Sequence, residues 1–225
     1  MKPTSVSADI RGRILSSRDR FWRPEDFAGS PEAVAKALSR LARSGELRRV
    51  RRGLYWRGTP TPLGMAPPPA ERLVDEVVGQ PGIGPAGPSA ALALGLTTQV
   101  PRLDTIAVPG RTPRPARGVR FVSRSASTRR RDERLRSAEV ALLETLRDWE
   151  RLVESPLPEA LGRIQTLVMT GSIRLDRVVR ASATEPPRVR ERLRRLLTAL
   201  DRPDEAKRVP PARGELGGQN LVPAT

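Results

Sequence analysis

Residues 30–57 read SPEAVAKALSRLARSGELRRVRRGLYWR, and this stretch decides the fold. Ser30, Pro31 and Glu32 form a well-built helix start. The serine hydroxyl can cap, proline tolerates the first turn because its missing N–H costs nothing there, and the acid sits at the positive end of the dipole. Through residue 44 the pattern follows 3.6 residues per turn. Val34, Leu38 and Leu41 fall on one side, and Lys36, Ser39, Arg40 and Arg43 on the other. Gly45 closes the helix. Residues 46–50 then suit a strand, 51–53 a turn and 54–57 a returning strand.

Upstream, Ile10, Ile14 and Leu15 give a short helix at about 8–17 one apolar face, and FWRPEDFAG (21–29) suits a brief helical turn closed by Gly29. Residues 1–7 are expected to be disordered. Helix, short helix, amphipathic helix and hairpin in that order predict a winged helix-turn-helix.

Between residues 31 and 57 there are eight basic side chains (Lys36, Arg40, Arg43, Arg48, Arg49, Arg51, Arg52, Arg57) and two acids (Glu32, Glu46), a local net charge of +6. A helix of this size fits the major groove of double-stranded DNA with its N-terminal residues toward base edges. Ser30, Lys36, Ser39 and Arg40 are the candidates for that role. Arg43, Arg49, Arg51 and Arg52 suit phosphate, which positions without specifying. Five phosphate contacts, from Lys36, Arg40, Arg43, Arg51 and Arg52, would give a salt slope of about −4.5. A charged helix face is more often simply solvated, but the ordered set of cap, helix, glycine and Arg-Arg-Gly turn favours DNA.

Downstream, RGTPTPLGMAPPP (57–69) is too rich in proline and glycine to pack as an element. This divides the chain into a DNA-binding domain at 1–57, a linker at 58–69, a C-terminal domain at 70–200 and a disordered tail at 201–225. Within the C-terminal domain, helices are expected at 70–78, 89–94, from the charge run 127–136 onward, 158–170, 174–181 and 187–200. Strands are expected at 103–108 and 119–123, flanking a proline-rich basic loop. Leu142, Leu146, Trp149 and Val153 share one stripe, with Glu144, Arg147 and Arg151 opposite it. The fold class is mostly α with a small β component, an α/β second domain ending in a helical bundle.

The 225 residues carry 41 basic and 25 acidic side chains, net +16, with no cysteine and no histidine. Excess positive charge points to a polyanion. The missing residue types remove the usual zinc ligands, thiol nucleophiles and imidazole bases. No catalytic, metal or cofactor site is expected. The string Pro203-Asp204-Glu205-Ala206-Lys207 has nuclease-like composition but no strand around it, and the glycines at 82, 84 and 87 lack the Gly-Lys-Ser/Thr of a phosphate loop. No apolar run reaches the ~20 residues of a membrane span, and MKPTSVSADIRGRI has no apolar signal-peptide core. A cytoplasmic protein with no membrane partner is expected. A second arginine cluster lies at 111–131. Arg111, Arg114, Arg129, Arg130 and Arg131 are its candidates for a further basic surface, against a flexible loop kept soluble by charge.

The chain resembles the antitoxins of AbiE-type (type IV, abortive infection) toxin–antitoxin systems and their winged-helix relatives. FWRPEDF and AVAKALSRLARSGELRRVRRGLY (33–55) carry the resemblance, with GPSAALALGLTTQVP (87–101) as a second block and PPRVRERLRRLL (186–197) as a loose third. The resemblance implies a winged helix that represses its own promoter and a C-terminal domain that neutralises a nucleotidyltransferase-like toxin in phage defence, without a stable complex. It implies DNA contacts from Lys36, Ser39, Arg40, Arg43, Arg49, Arg51 and Arg52, with Tyr55 anchoring the wing. The alternatives are a stand-alone winged-helix regulator whose C-terminal domain dimerises or senses, and a carboxylate nuclease.

Overall fold

The computed structural model describes residues 6–211, with the side chains of residues 70 and 71 left aside. It divides into two compact units, one reaching to Val77 and including Pro115–Gly118, the other made of Val78–Arg114 and the chain from Val119 on.

In the first unit, helix α1 (Val6–Leu15) leads through Asp19, in the left-handed region at φ 50°, to strand β1 (Arg20–Trp22). A 3-10 turn (Pro24–Asp26) follows, held by the Arg23 N–H donating to Asp26 at 2.7 Å. Helix α2 (Pro31–Arg43) is capped by Ser30, whose side chain accepts from the Ala33 N–H at 3.3 Å. Strands β2 (Arg48–Arg51) and β3 (Leu54–Arg57) form the hairpin. The antiparallel sheet runs β1-β3-β2, so β3 is central. The periodicity of α2 dictates its packing: Val34, Ala37, Leu38 and Leu41 are buried, closing with Ile10, Ile14, Trp22, Phe27, Leu47 and Tyr55 into one core. Trp22 stacks on Phe27 at 5.0 Å between centroids. β1 was not anticipated. Three residues are too few to show alternation, and Trp22 declares its inward side only when β3 is beside it.

The stretch expected to be a linker is ordered. Strands β4 (Pro60–Thr61) and β5 (Gly64–Met65) make a small hairpin. Met65 is buried, and its backbone carbonyl accepts from Arg48 at 3.1 Å. Helix α3 (Ala70–Val77) groups with this first unit rather than with the second. Pro62 and Gly64 shape the turn here instead of marking a domain boundary.

The second unit begins with strand β6 (Gly84–Pro85) and helix α4 (Pro88–Ala93). β6 pairs antiparallel with β7 (Asp104–Val108), and β7 pairs parallel with β8 (Val119–Ser123). The Gly-rich run before α4 is therefore partly strand. Gly84 is needed for a close approach, since a Cβ there would lie 2.7 Å from the Ser137 carbonyl oxygen and from Val140 Cβ. Helices α5 (Arg129–Asp132), α6 (Ser137–Arg147), α7 (Trp149–Leu152), α8 (Leu157–Met169), α9 (Leu175–Ala181) and α10 (Pro187–Ala199) follow.

α6 is the central element, buried continuously from Glu139 to Leu146. The expected single helix through Val153 breaks at Asp148, whose backbone leaves helical geometry at φ −147° and ψ 47°. Glu144, expected on the outer face, is 1% exposed.

The tail expected from residue 201 is also corrected. Helix α11 (Pro203–Arg208) packs on α10, and Ala206 and Val209 enter the core. Arg194 donates to the Val209 and Pro210 carbonyls, and Arg190 to that of Pro211. Residues 212–225 of that expected tail, and 1–5 of the expected N-terminal disorder, lie outside the described residues.

Candidate nucleic-acid interface

α2 and its hairpin set the geometry of the site. Burial of the Val34–Leu38–Leu41 side leaves Lys36, Arg40 and Arg43 exposed. None of them forms an ion pair among the described residues, and neither do Arg49, Arg51 or Arg52. The acids of the region are engaged elsewhere or set apart. Glu46 is held by Arg11 at 2.9 Å, and Glu32 lies in the first turn of α2.

Arg48 and Arg57 belong to the framework rather than the surface. Arg48 reaches the Met65 carbonyl oxygen at 3.1 Å, and Arg57 that of Glu46 at 3.3 Å. Ser39 is half-buried, and its hydroxyl lies 3.4 Å from that of Tyr55. The pair joins α2 to β3, with Tyr55 only 4% exposed. Ser30 stays exposed, with its hydroxyl committed to the cap.

Sequence reasoning missed one contributor. The pairing of β2 with β3 shifts register between Arg49 and Arg51, which leaves Val50 out of the ladder. Its carbonyl accepts instead from the Arg117 backbone N–H at 3.1 Å, and Ala116 is buried at 8% exposure. Arg117 therefore joins Arg49, Arg51 and Arg52 around an open groove of about 410 Å³, completed by Val50, Pro115 and Ala116. Four guanidiniums and no acid line it. No local signal predicts this pairing, because its partner strand lies 67 residues earlier. Only the Arg-rich, proline-stiffened composition of 111–117 hinted at a shaped basic segment.

The remaining arginines of the 111–131 cluster separate by burial. Arg111, Arg114, Arg129 and Arg131 are exposed. Arg130 is fully buried at 0% exposure and cannot serve as a basic surface. Its Nε lies 2.6 Å from Glu185 and its Nη1 2.7 Å from Glu144. Burial alone would depress its pKa, but the hydrogen bond and charge of Glu185, with Glu144, outweigh that and leave it raised. Arg124 is likewise paired with Glu144 at 2.8 Å.

Among the described residues no group of three or more carboxylate, imidazole or thiol side chains could hold a metal ion. No helix there is long and apolar enough to cross a membrane. The nuclease-like string lies on α11, where Asp204 pairs with Lys207 and Glu205 with Arg202.

Residues 23–56 match the family described as "Transcriptional regulator, AbiEi antitoxin", which is a regulator family and not an enzyme family. The match covers the 3-10 turn, α2 and the hairpin. Among solved structures, the RV2827C protein from Mycobacterium tuberculosis is similar in fold. It is 19% identical with a TM-score of 0.55, over 92% of this chain and 80% of that one. A comparison with curated proteins returned no match.

Proposed function

We propose, from the premise that residues 23–56 are of the AbiEi antitoxin transcriptional-regulator type, that the chain binds double-stranded DNA at its own promoter and represses it. The observation that carries this reading is the unpaired charge of α2 and the wing. Lys36, Arg40, Arg43, Arg49 and Arg52 are exposed without an acid partner. Lys36 and Arg40 face base edges, and Arg43, Arg49, Arg51, Arg52 and Arg117 grip the backbone. These five backbone contacts give a salt slope of about −4.5.

The test is titration of the purified chain against its upstream DNA at two salt concentrations. The combined alanine variant of Arg40, Arg43, Arg51 and Arg52 should lose most affinity. Unchanged binding by that variant would refute the recognition-helix assignment.

The second unit carries the antitoxin activity in this reading, acting in the cytoplasm against a nucleotidyltransferase-like toxin of a type IV phage-defence pair. Rescue of growth on co-expression with an adjacent gene of that type is the check. The family match ends at residue 56, and this favours one second reading: a stand-alone regulator whose second unit dimerises or senses. Binding to the promoter without rescue from the toxin supports that alternative.

A further inference from the structure

The second unit holds a charge cluster that DNA binding does not use. Three guanidiniums, those of Arg124, Arg130 and Arg147, share two buried carboxylates, Glu144 and Glu185. Arg130 donates Nε and Nη2 to Glu185 at 2.6 and 2.9 Å, and Nη1 to Glu144 at 2.7 Å. Arg124 donates Nε and Nη2 to Glu144, each at 2.8 Å. Arg147 is left with the remainder. Its Nη2 reaches Glu185 at 2.8 Å and Ser127 Oγ at 3.3 Å. Its Nε, although 3.3 Å from Glu144, is buried without a hydrogen-bond partner. Its Nη1 makes no hydrogen bond among the described residues.

Three cations on two anions leave one uncompensated positive charge, and Arg147 has the unfilled donors. Burial holds the Arg147 guanidinium below its ordinary range, as do the like charges of Arg130 and Arg124, against the pull of Glu144 and Glu185. Surplus charge in a partly desolvated place is costly unless something compensates it. Here there is room for a compensating group. A pocket of about 330 Å³ is lined by the loop at 123–127 together with Arg147, Thr184, Glu185 and Pro186. The side chains of Arg124 and Arg147 are 26% and 25% exposed, so the charge reaches solvent. The loop is Ser123-Arg124-Ser125-Ala126-Ser127. The Ser123 hydroxyl donates to the Gly110 carbonyl and Ser127 is buried, so exposed Ser125 is the one placed to donate to an anion.

We propose that this pocket binds a phosphate-sized oxyanion, either free or at the end of a nucleotide. Arg147 and Arg124 supply the charge, and the hydroxyl of Ser125 the rim. Guanidinium donors suit such a group because a planar fork can give two parallel N–H bonds to it. Glu185 does not repel the anion as a free carboxylate would, since both its oxygens are held by Arg130 and Arg147.

The test uses the full chain carrying alanine at Arg49, Arg51, Arg52 and Arg117, the four guanidiniums of the wing groove, so that the groove cannot supply the response. Thermal unfolding is followed as inorganic phosphate, and separately a nucleoside monophosphate, is titrated at constant ionic strength set with chloride. A saturable rise in Tm is expected with phosphate and none with chloride. Ser125→Glu, at an exposed rim position, places a carboxylate in the pocket and should raise Tm without anion while abolishing the response. Arg147→Met should lose the response as well. If that variant does not fold, Ser125→Glu decides alone. Tighter binding of the nucleotide than of phosphate identifies a nucleotide site, and equal binding a phosphate site. Equal responses to phosphate and chloride, or an unaltered response in Ser125→Glu, overturn the proposal. Capture of an acidic peptide with no phosphate response overturns it in favour of a protein partner.

Discussion

Arg40 and Arg130 have the same side chain and opposite surroundings. Arg40 stands exposed on α2 and forms no ion pair among the described residues, while Arg130 is sealed between Glu144 and Glu185. Substitution should separate the two roles. Arg43→Ala and Arg117→Ala should each weaken binding to all DNA sequences alike and flatten the salt slope by about 1, with Tm nearly unchanged. Lys36→Ala should instead relax discrimination between sequences by about 1–3 kcal/mol. Arg130→Ala removes two hydrogen bonds from buried Glu185 and one from buried Glu144, and should cost about 3–5 kcal/mol in chemical denaturation. The buried role of Arg130 had a signal in the sequence, although an indirect one. Glu144 interrupts the apolar run Val140-Ala141-Leu142-Leu143, and a carboxylate so placed requires a buried cation. The sequence does not reveal which of the nearby arginines supplies it, since Arg129, Arg130 and Arg131 differ only in which way α5 turns them.

Among elements, α2 and its hairpin were legible because each rests on local chemistry. The Ser30 cap, the three-and-four spacing of Val34, Leu38 and Leu41, and Gly45 at φ 77° all act within a few residues. β1, β6 and the β4–β5 pair were not legible, being two or three residues long and defined only by partners. α11 was hidden for a related reason: six mostly polar residues form a helix where Ala206 and Val209 find a core to enter. Gly58 belongs to this scale too. A Cβ there would lie 2.3 Å from Trp56 Nε1, in a residue only 1% exposed whose ring is tilted at 52° against Phe21, 4.7 Å between centroids. Gly58→Ala should therefore lower Tm by shifting the indole, a result that thermal unfolding would register and that a solvated linker would not give. Ser30→Ala should cost about 1 kcal/mol through loss of the α2 cap.

Over the whole molecule, net charge hides a division of labour. Lys36, Arg40, Arg43, Arg49, Arg51 and Arg52 of the first unit form no ion pair among the described residues, while the most deeply buried arginines of the second, Arg130 and Arg192, are paired with acids. This division makes stability depend on pH in a defined direction. Burial would raise Glu139 and Glu144, but hydrogen bonds and charge from Arg174 and Arg136 for the first, and from Arg124, Arg130 and Arg147 for the second, leave both lowered. Their contribution is full above the unfolded glutamate value of about 4.3 and disappears as pH falls through the lower folded values. Tm should be flat toward neutrality and drop below about pH 4, most steeply in probes near α6 such as the fluorescence of Trp149, which opens α7.

The hydrogen bond from Arg117 to Val50 has a consequence for inheritance. The first unit is not a contiguous stretch of gene: four of its residues are encoded after β7, and no single cut in the chain releases it whole. A recombination event that moved residues 6–77 alone onto another protein would carry away a wing whose Val50 carbonyl had lost its donor and whose groove had lost one of four guanidiniums. The inheritable module is the first unit together with the body that supplies 115–118, so the two are expected to travel and diverge as one.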